Sequence, residues 1–150
     1  MASSCSICEV KSADQIFEIL SDFQDALPIL GSSTAFRKEM AEKLSKYAFV
    51  FLLQIDHENA GFASIYANDT TSKTGYISFI AIASKYRKMH LGTQLMNTLF
   101  SAAKQNQMQY VKLEVAKTNT VAQSFYSKYG FHYQSEASAD SIYMIKQIDD

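Results

Sequence analysis

The sequence predicts an α/β protein in which helices cover a mixed β-sheet, and three observations support this class. Apolar runs of strand length alternate with segments whose apolar residues recur at helical spacing. One succession of strand, helix and strand is long enough for a parallel crossover, whereas neighbouring strands are joined by short turns typical of antiparallel pairs. The chain has 150 residues, 47% of them hydrophobic, which is enough to bury one core. We therefore expect a single domain over residues 1–150.

The first predicted elements are one strand and two helices. The run CSICEV at 5–10 indicates a short strand, β1. Residues 14–27 carry apolar side chains at helical spacing and predict helix α1, which PILG at 28–31 ends because proline and glycine break the pattern. Ser33 or Thr34 can cap the next helix, α2, which reaches about position 46.

Three strands are predicted next. YAFVFLLQI at 47–55, β2, and GFASIYA at 61–67, β3, flank the polar DHENA, which is the pattern of an antiparallel pair joined by a tight turn. A second polar loop leads into GYISFIAIA at 75–83. This almost unbroken apolar run predicts a buried strand, β4.

The second half of the chain alternates helices and strands before a closing hairpin. Helix α3 is predicted over 91–105, strand β5 over 110–116 and helix α4 over 119–129. The runs FHYQSE at 131–136 and SIYMIKQ at 141–147 predict β6 and β7. The predicted order is therefore β1-α1-α2-β2-β3-β4-α3-β5-α4-β6-β7.

Charge and hydropathy narrow the possible partners. The formal net charge is −1 and the cations are spread along the chain, so no nucleic-acid surface is predicted. The first residues lack an apolar core behind basic residues, and no apolar stretch of about 18 residues follows. We therefore expect a cytoplasmic protein without a membrane partner.

The cysteines and histidines predict no metal. Cys5 and Cys8 have the C-x-x-C spacing of redox or zinc sites, but a second ligand pair is missing. Residues three apart on a strand point to opposite faces, so we expect two unpaired thiols. His57 and His132 lack partners at triad or metal spacing, and we expect both to be structural.

Two blocks of sequence carry the strongest functional signal. Residues 80–96 read I-A-I-x-x-x-Y-R-x-x-x-L-G-x-x-L-M, and residues 113–131 read L-E-V-x-x-x-N-x-x-A-x-x-F-Y-x-x-x-G-F. They resemble the acyl-CoA-binding motif, [QR]-x-x-G-x-[GA] after a strand, and the second conserved block of the GNAT superfamily of N-acetyltransferases. The resemblance spans nearly the whole chain. It implies the GNAT fold and the transfer of an acetyl group from acetyl-CoA to a primary amine by direct attack in a ternary complex.

The first block implies how coenzyme A would be held. Backbone N–H groups at a helix N-terminus bind phosphate well, and the resemblance puts the diphosphate on the turn before α3. Ile80 and Ile82 would offer backbone groups to the thioester and the pantetheine arm. His90 replaces the family's first glycine, either as a tolerated substitution or as an added phosphate contact. The implied turn residues are Arg87, Lys88, His90, Leu91, Gly92 and Thr93.

The second block implies the remaining site residues. Asn119 matches a helix-start residue that in the family hydrogen-bonds the pantetheine arm, and it is also a favoured N-cap. Tyr126 matches the tyrosine near the coenzyme sulfur, so we expect it to contact the coenzyme and protonate the leaving thiolate; the alternative is a core aromatic. Glu114, twelve residues before Tyr126, resembles the base of the protein N-terminal alanine acetyltransferases. A solvated surface glutamate, with a water relay past Ser78 as the base, is the alternative.

The acceptor is left open between a small amine and a protein or peptide amine. By resemblance, residues 24–37 and the loop QSEASADS between β6 and β7 would flank it, and Glu136 and Asp140 would attract a cation. A monomer and a homodimer are both compatible with the sequence. The alternative function is a non-catalytic acyl-CoA-binding sensor or structural subunit of the same fold. Tyr126 argues against it, because a binder needs no proton donor at the sulfur.

Overall fold

The computed structural model describes residues 4–27, 33–87 and 89–148, and it confirms the predicted order of helices and strands. A 3-10 helix over Ser84–Tyr86 is an addition to that order. The predicted break at Pro28 and Gly31 lies outside the described residues. The elements are β1 (Cys5–Val10), α1 (Ala13–Asp22), α2 (Thr34–Tyr47), β2 (Phe49–Ile55), β3 (Glu58–Tyr66), β4 (Thr74–Ile82), α3 (Leu91–Gln105), β5 (Tyr110–Ala116), α4 (Thr120–Lys128), β6 (His132–Glu136) and β7 (Ser141–Gln147).

The strands form one seven-stranded sheet in the order β1-β2-β3-β4-β5-β7-β6. Strands β4 and β5 pair in parallel, in a register that runs from Thr74 opposite Tyr110 to Ile77 opposite Leu113. The pairs β1 with β2, β2 with β3, β5 with β7, and β6 with β7 are antiparallel. The predicted mixed sheet with a parallel crossover through α3 is therefore confirmed.

The chain forms two compact units, Met1–Ile65 with Phe79–Leu99, and Tyr66–Ser78 with Phe100–Asp150. Strand β4 and helix α3 contribute residues to both units. The single domain expected from the sequence stays a prediction. In the described part of the chain, no helix combines the length and the hydropathy needed to cross a membrane.

The first unit is organised around fully buried side chains of its strands and helices. The Phe62 ring lies 5.0 Å from the Phe23 ring and 6.0 Å from the Phe79 ring, measured between centroids. Each fully buried aliphatic or aromatic side chain contributes roughly 1.5–3 kcal/mol of transfer free energy. The fully buried side chains of this unit include Ile16, Leu20, Leu44, Leu53, Phe62, Leu95 and Leu99.

Gly61 is required where β3 lies close to β4 and α3. A Cβ at this position would stand 2.8 Å from Cδ1 of Ile82, 3.1 Å from the Ala81 carbonyl oxygen and 3.1 Å from Cδ1 of Leu95. Because one of these neighbours is backbone, the contact cannot be relieved by a rotamer change alone. The glycine therefore sets the distance at which the end of β4 and the start of α3 pack on β3.

The turn between β2 and β3 is shorter than the sequence suggested. Strand β3 begins at Glu58, not at residue 61, and Ile55 pairs with Glu58. The two turn residues, Asp56 and His57, have φ values of 49° and 71°. Two positive φ values in a two-residue loop define a type I′ hairpin, which twists in the same sense as its strands. The predicted antiparallel pair with a tight turn is confirmed, but the start of β3 was wrong because the turn contains no glycine to mark this conformation.

Helix α1 also ends earlier than predicted, at Asp22 instead of residue 27. Phe23 is its C-cap, and the N–H groups of Ala26 and Leu27 both donate to the Phe23 carbonyl, at 3.0 and 3.1 Å. The Phe23 ring is nevertheless buried. The apolar periodicity therefore continues past the helix end, and the extent of the helix was overestimated.

The second unit is built on β5, β7 and the aromatic side chains of α4. Val111, Leu113 and Val115 are buried on one face of β5, which leaves Lys112 and Glu114 on the other. Phe100 stacks on Phe131 with the ring centroids 6.0 Å apart. The predicted bounds of α3, β5 and β7 are confirmed residue for residue.

Helix α4 ends in a Schellman motif, which confirms the predicted C-cap glycine. Gly130 has a φ of 94°, its N–H donates to the Ser127 carbonyl, and the Phe131 N–H donates to the Tyr126 carbonyl. The backbone at Tyr126 is thus fixed by the helix end itself.

Candidate active site

The turn between β4 and α3 belongs to the first unit and begins with the 3-10 helix. The Ala83 N–H donates to the Ala60 carbonyl of β3 at 2.8 Å, and the Tyr86 N–H donates to the Ala83 carbonyl at 2.9 Å. Arg87 follows, with its N–H 3.4 Å from the Ser84 carbonyl. The chain therefore leaves β4 in a hydrogen-bonded turn.

Glu58 anchors this turn from the start of β3. The Tyr86 hydroxyl donates to Oε2 of Glu58 at 2.8 Å, and Nζ of Lys85 lies 3.0 Å from the same oxygen. The hydrogen bond from Tyr86, followed by the hydrogen bond and charge of Lys85, lowers the pKa of Glu58. The sequence did not indicate this contact, because the partners are 27 and 28 residues apart.

His90 adopts the backbone conformation for which a glycine would be the default residue. Its φ is 59° and its side chain is exposed. Histidine is one of the few non-glycine residues enriched in this left-handed region. The departure from the family pattern at His90 is therefore accommodated by the backbone.

Helix α3 begins immediately after His90. Leu91 is buried, Gly92 is half-buried, Thr93 is exposed, and the first turn contains no acidic residue. The N–H groups of a first helical turn have no carbonyl partner within the helix, so this end carries partial positive charge. Such a terminus suits a phosphate group. Lys88, the other predicted turn residue, lies outside the described residues.

The end of β4 is bonded to Arg87. Nε of Arg87 donates to the Ile82 carbonyl at 3.2 Å, and the side chains of Ile80 and Ile82 are half-buried. The Arg87 side chain therefore turns back towards the strand in this structure. Both isoleucines lie beyond Ile77, the last β4 residue in the register with β5.

In the second unit, Glu114 is the first residue of β5 after the register with β4. It is exposed, and its Oε2 accepts a hydrogen bond of 2.5 Å from the hydroxyl of Ser141 on β7. An ionised carboxylate only accepts hydrogen bonds, so the serine is the donor. Glu114 is thus a solvent-accessible carboxylate with an ordered side chain.

Asn119 caps helix α4, as predicted. Its side-chain oxygen accepts the Ala122 N–H at 3.1 Å. Gln123 fixes the helix start, because its Nε2 donates to the carbonyls of Ala116 and Lys117 at 2.9 and 3.1 Å. The cap uses the oxygen of the Asn119 amide, and the amide nitrogen still has donors for a ligand.

Tyr126 lies on the same helix, two turns after Asn119. Its ring packs against Phe125 and Phe131, with centroids 5.5 and 5.9 Å away. Burial raises the pKa of Tyr126 to about 12. Within residues 4–27, 33–87 and 89–148, no hydrogen bond engages its hydroxyl. The phenol is therefore protonated at neutral pH and has no described partner to which it gives that proton.

A water relay past Ser78 of β4 was the alternative to Glu114 as the base, and Tyr76 lies two residues before Ser78 on that strand. Burial, followed by the nearby charges of Glu114, Tyr143 and Tyr66, raises the pKa of Tyr76 to about 12. A phenol with this pKa stays protonated at neutral pH and is no base. Ser78 is half-buried. Glu114 is thus the better candidate among the residues that the sequence offered.

The cysteines and the other residues considered from the sequence form no catalytic or metal-binding arrangement in the described part of the chain. Cys5 and Cys8 are exposed free thiols. Cys5 is hydrogen-bonded to Gln94, which lies 89 residues further along the chain. No group of three or more possible metal ligands occurs in the part of the chain that the structure describes. Glu136 forms an ion pair of 2.6 Å with Lys117, so its charge is compensated. It is a weaker attractant for a cation than expected.

The chain is similar to known acetyltransferases. The model of the acetyltransferase (GNAT) family matches residues 13–131. An N-alpha-acetyltransferase of Sulfurisphaera tokodaii is 31% identical in a 101-residue alignment that covers 60% of this chain and 60% of that relative's length. The ribosomal-protein-S18-alanine N-acetyltransferase of Escherichia coli has a TM-score of 0.79 at 19% identity, covering 98% of this chain and 96% of its own. An acetyltransferase of Streptococcus agalactiae has a TM-score of 0.77 at 15% identity, covering 95% and 98%.

The two solved structures share the fold, and the family model extends from the first helix to the start of β6. This stretch contains both sequence blocks on which the resemblance rested. The chain therefore belongs to the acetyltransferase (GNAT) family.

Proposed function

We propose that this protein is an N-acetyltransferase that acetylates a primary amine by direct attack on acetyl-CoA in a ternary complex. The observation that carries the proposal is the state of Tyr126. Burial raises the pKa of its phenol to about 12, and its hydroxyl has no hydrogen-bond partner within the described residues. A phenol that is protonated at neutral pH and has no described partner can donate a proton to the thiolate that the reaction releases.

The turn before α3 fits the diphosphate of the coenzyme. The first turn of α3 has no acidic residue, and His90 takes the left-handed conformation that a glycine would take. Main-chain N–H groups from His90 to Thr93 would hold the phosphates, and Arg87 and Lys88 would add positive charge. Bound acetyl-CoA supplies the activated acyl group as a thioester.

The arm of the coenzyme would be held by main chain and by Asn119. Ile80 and Ile82 lie beyond the β4 residues that pair with β5, so their backbone groups suit the pantetheine arm. The Asn119 side-chain nitrogen would donate to the arm while its oxygen keeps capping α4. A β4 backbone N–H that binds the developing oxyanion would contribute about 3 kcal/mol, as such donors do in other acyl transferases.

Glu114 would act as the base. The attacking nitrogen forms a bond to the acyl carbon and must lose one proton. The Glu114 carboxylate is exposed and held by Ser141, so it can take this proton and pass it to solvent. Tyr76 cannot compete, because its pKa is raised to about 12.

Tyr126 would act as the acid that protonates the leaving sulfur. The carbon–sulfur bond breaks as the product forms, and the sulfur needs a proton. The burial that raises the Tyr126 pKa would also destabilise an unprotonated sulfur beside it. Proton donation by the phenol would therefore stabilise the sulfur more in this site than in water.

The α-amine of a peptide is the acceptor class that we propose. An α-amine has a pKa of about 7.7–8.0, so roughly a quarter is free base at pH 7.4, against about one part in a thousand for a lysine amine. A single exposed carboxylate therefore has to deprotonate a smaller fraction of an α-amine than of a lysine amine. The name of the Sulfurisphaera tokodaii relative, N-alpha-acetyltransferase, supports this choice over a small amine.

The test is thiol release from acetyl-CoA with a panel of acceptors. Peptides with a free N-terminus, the same peptides with a blocked N-terminus, a lysine side-chain peptide and small polyamines form the panel. We expect release that depends on the free α-amine. Tight coenzyme binding without amine-dependent release from any acceptor would favour the non-catalytic sensor.

Glu114→Gln tests the base. It keeps the size of the side chain and should lower kcat about 100-fold or more. Glu42→Gln is the matched control, since Glu42 is an exposed glutamate on α2 and has no part in the proposed site. Equal activity of both variants would remove Glu114 from the mechanism.

A further inference from the structure

Ser141 joins Glu114 to a chain of hydrogen bonds that the proposed chemistry has not used. In the antiparallel pair of β5 and β7, Glu114 stands opposite Tyr143 and Ala116 opposite Ser141. Glu114 and Ser141 are therefore diagonal neighbours on one face of the sheet. The serine is buried, with 8% of its surface exposed, whereas the glutamate is exposed. A buried hydroxyl thus meets the inner side of a carboxylate that also faces solvent.

The donor and the acceptor of each hydrogen bond in this chain can be assigned. Ser141 must donate to Glu114, so the 2.8 Å contact between the Ser138 and Ser141 hydroxyls has Ser138 as its donor. Ser138 in turn accepts the Asp140 N–H at 3.1 Å. All three hydrogen bonds point towards the carboxylate, and aligned hydrogen bonds strengthen one another.

The two serines are held in place by the hairpin between β6 and β7. The N–H groups of Ala137 and Ser138 both donate to the Ser141 carbonyl, at 3.0 and 3.2 Å. The Lys117 N–H donates to the Asp140 carbonyl at 2.9 Å, which attaches the end of the hairpin to the end of β5. The donors therefore occupy fixed positions relative to Glu114.

An exposed glutamate does not need this arrangement for solvation, because water can satisfy its oxygens. The chain of hydrogen bonds instead fixes the Glu114 side chain, which has three rotatable bonds. Oε2 is engaged by Ser141, and within the residues described no other hydrogen bond reaches the carboxylate. Oε1 is thus the oxygen left to receive a proton.

We infer that Ser141, supported by Ser138, is a positioning residue that holds Glu114 by Oε2 and presents Oε1 to the acceptor amine. This inference rests on the proposed function, in which Glu114 is the base. Misplacement of a reacting group by about 1 Å can cost on the order of 100-fold in rate. Ser141→Ala should therefore lower kcat about 10- to 100-fold, with little change in the KM for acetyl-CoA.

A double-mutant cycle tests the inference. Ser141→Ala is made alone and in the Glu114→Gln background, and kcat, the KM for acetyl-CoA and the melting temperature are measured for each. The large fall in kcat should occur only when Glu114 is present. Ser138→Ala, which leaves the donor to Glu114 in place, should give a smaller fall. It also serves if Ser141→Ala fails to fold. Ser101→Ala, an exposed serine on α3, is the control and should match the wild type.

The outcomes separate the two proposals. An equal loss from Ser141→Ala in both backgrounds, or a wild-type rate in Ser141→Ala, would overturn the role of Ser141 and leave Glu114 as the base. Full activity of Glu114→Gln would instead overturn the base, and the role of Ser141 with it. A fall in kcat that tracks the melting temperature across the serine variants would mean that Ser141 is structural only.

Discussion

Replacement of Tyr126 by phenylalanine removes one oxygen from the site and leaves the surrounding packing intact. The ring contacts with Phe125 and Phe131 do not involve the hydroxyl, and the Tyr126 carbonyl keeps its place in the Schellman motif. In the described residues no hydrogen bond is lost. We therefore expect the free energy of unfolding at pH 7 to change by no more than about 0.5 kcal/mol. The dissociation constant for acetyl-CoA should stay within about three-fold, because the proposed phosphate site is the turn before α3 and does not include Tyr126.

The rate should respond much more strongly. A general acid contributes about 100- to 10,000-fold, so kcat for amine-dependent thiol release should fall by at least two orders of magnitude. Tyr133→Phe is the matched control, since it removes a phenol that is 57% exposed on β6. An unchanged kcat in Tyr126→Phe, measured with coenzyme and amine at saturation, would refute the assignment of the acid.

The same substitution predicts a change in alkaline stability. The folded pKa of Tyr126 is raised to about 12, against about 10 in the unfolded chain. The unfolded chain therefore loses the phenol proton first, and stability that is present below pH 10 is lost as the pH rises towards 12. Two pKa units correspond to about 3 kcal/mol.

Urea unfolding at pH 8 and at pH 11.5 measures this loss. Tyr76, whose pKa is also raised to about 12, contributes equally to the wild type and the variant, so their difference isolates Tyr126. The wild type should lose more stability than Tyr126→Phe, by about 2 kcal/mol at pH 11.5. Equal losses would mean that the Tyr126 hydroxyl is accessible to hydroxide in the folded protein.

Substitutions at three further positions test the backbone of the candidate site and of its supporting helix. Gly92→Glu should abolish acetyl-CoA binding in calorimetry, because a carboxylate in the first turn of α3 would repel the diphosphate; binding retained at the level of Gly92→Ala would show that the phosphates lie elsewhere. His90→Gly should keep coenzyme affinity within about three-fold, whereas His90→Val should lose about 1–2 kcal/mol of unfolding free energy, since a β-branched residue is unfavourable at a φ of 59°. Gly130→Ala should cost about 1–2 kcal/mol at its φ of 94°, and a neutral result in urea unfolding would contradict the Schellman geometry.

Local periodicity predicted most of the fold. Helix α3 and strands β5 and β7 have their predicted bounds, because each presents one apolar face over its whole length. The errors occur where the local pattern and the backbone disagree. Phe23 is buried from a cap position beyond α1, and the type I′ turn at Asp56 and His57 lacks glycine.

The helix caps near the candidate site were predicted, but the side-chain contacts that support the candidate residues were not. Asn119 as a helix cap and Gly130 at the helix end followed from residue preferences at short range. The anchors of the site came from pairs 27 or 28 residues apart, Glu58 with Tyr86 and Glu114 with Ser141. A single sequence contains no periodic signal for such pairs, since their meeting depends on strand order and register.

The hairpin between β2 and β3 imposes a constraint on insertions and deletions. Its two-residue turn sets the register in which Glu58 pairs with Ile55, and Glu58 holds Tyr86 in the turn before α3. One residue added to this loop would shift Glu58 to the opposite face of its strand or force a new bulge. Surface hairpins usually tolerate changes of length, but this one would transmit them to a distant part of the sequence. Loop grafting at this hairpin should therefore preserve its length.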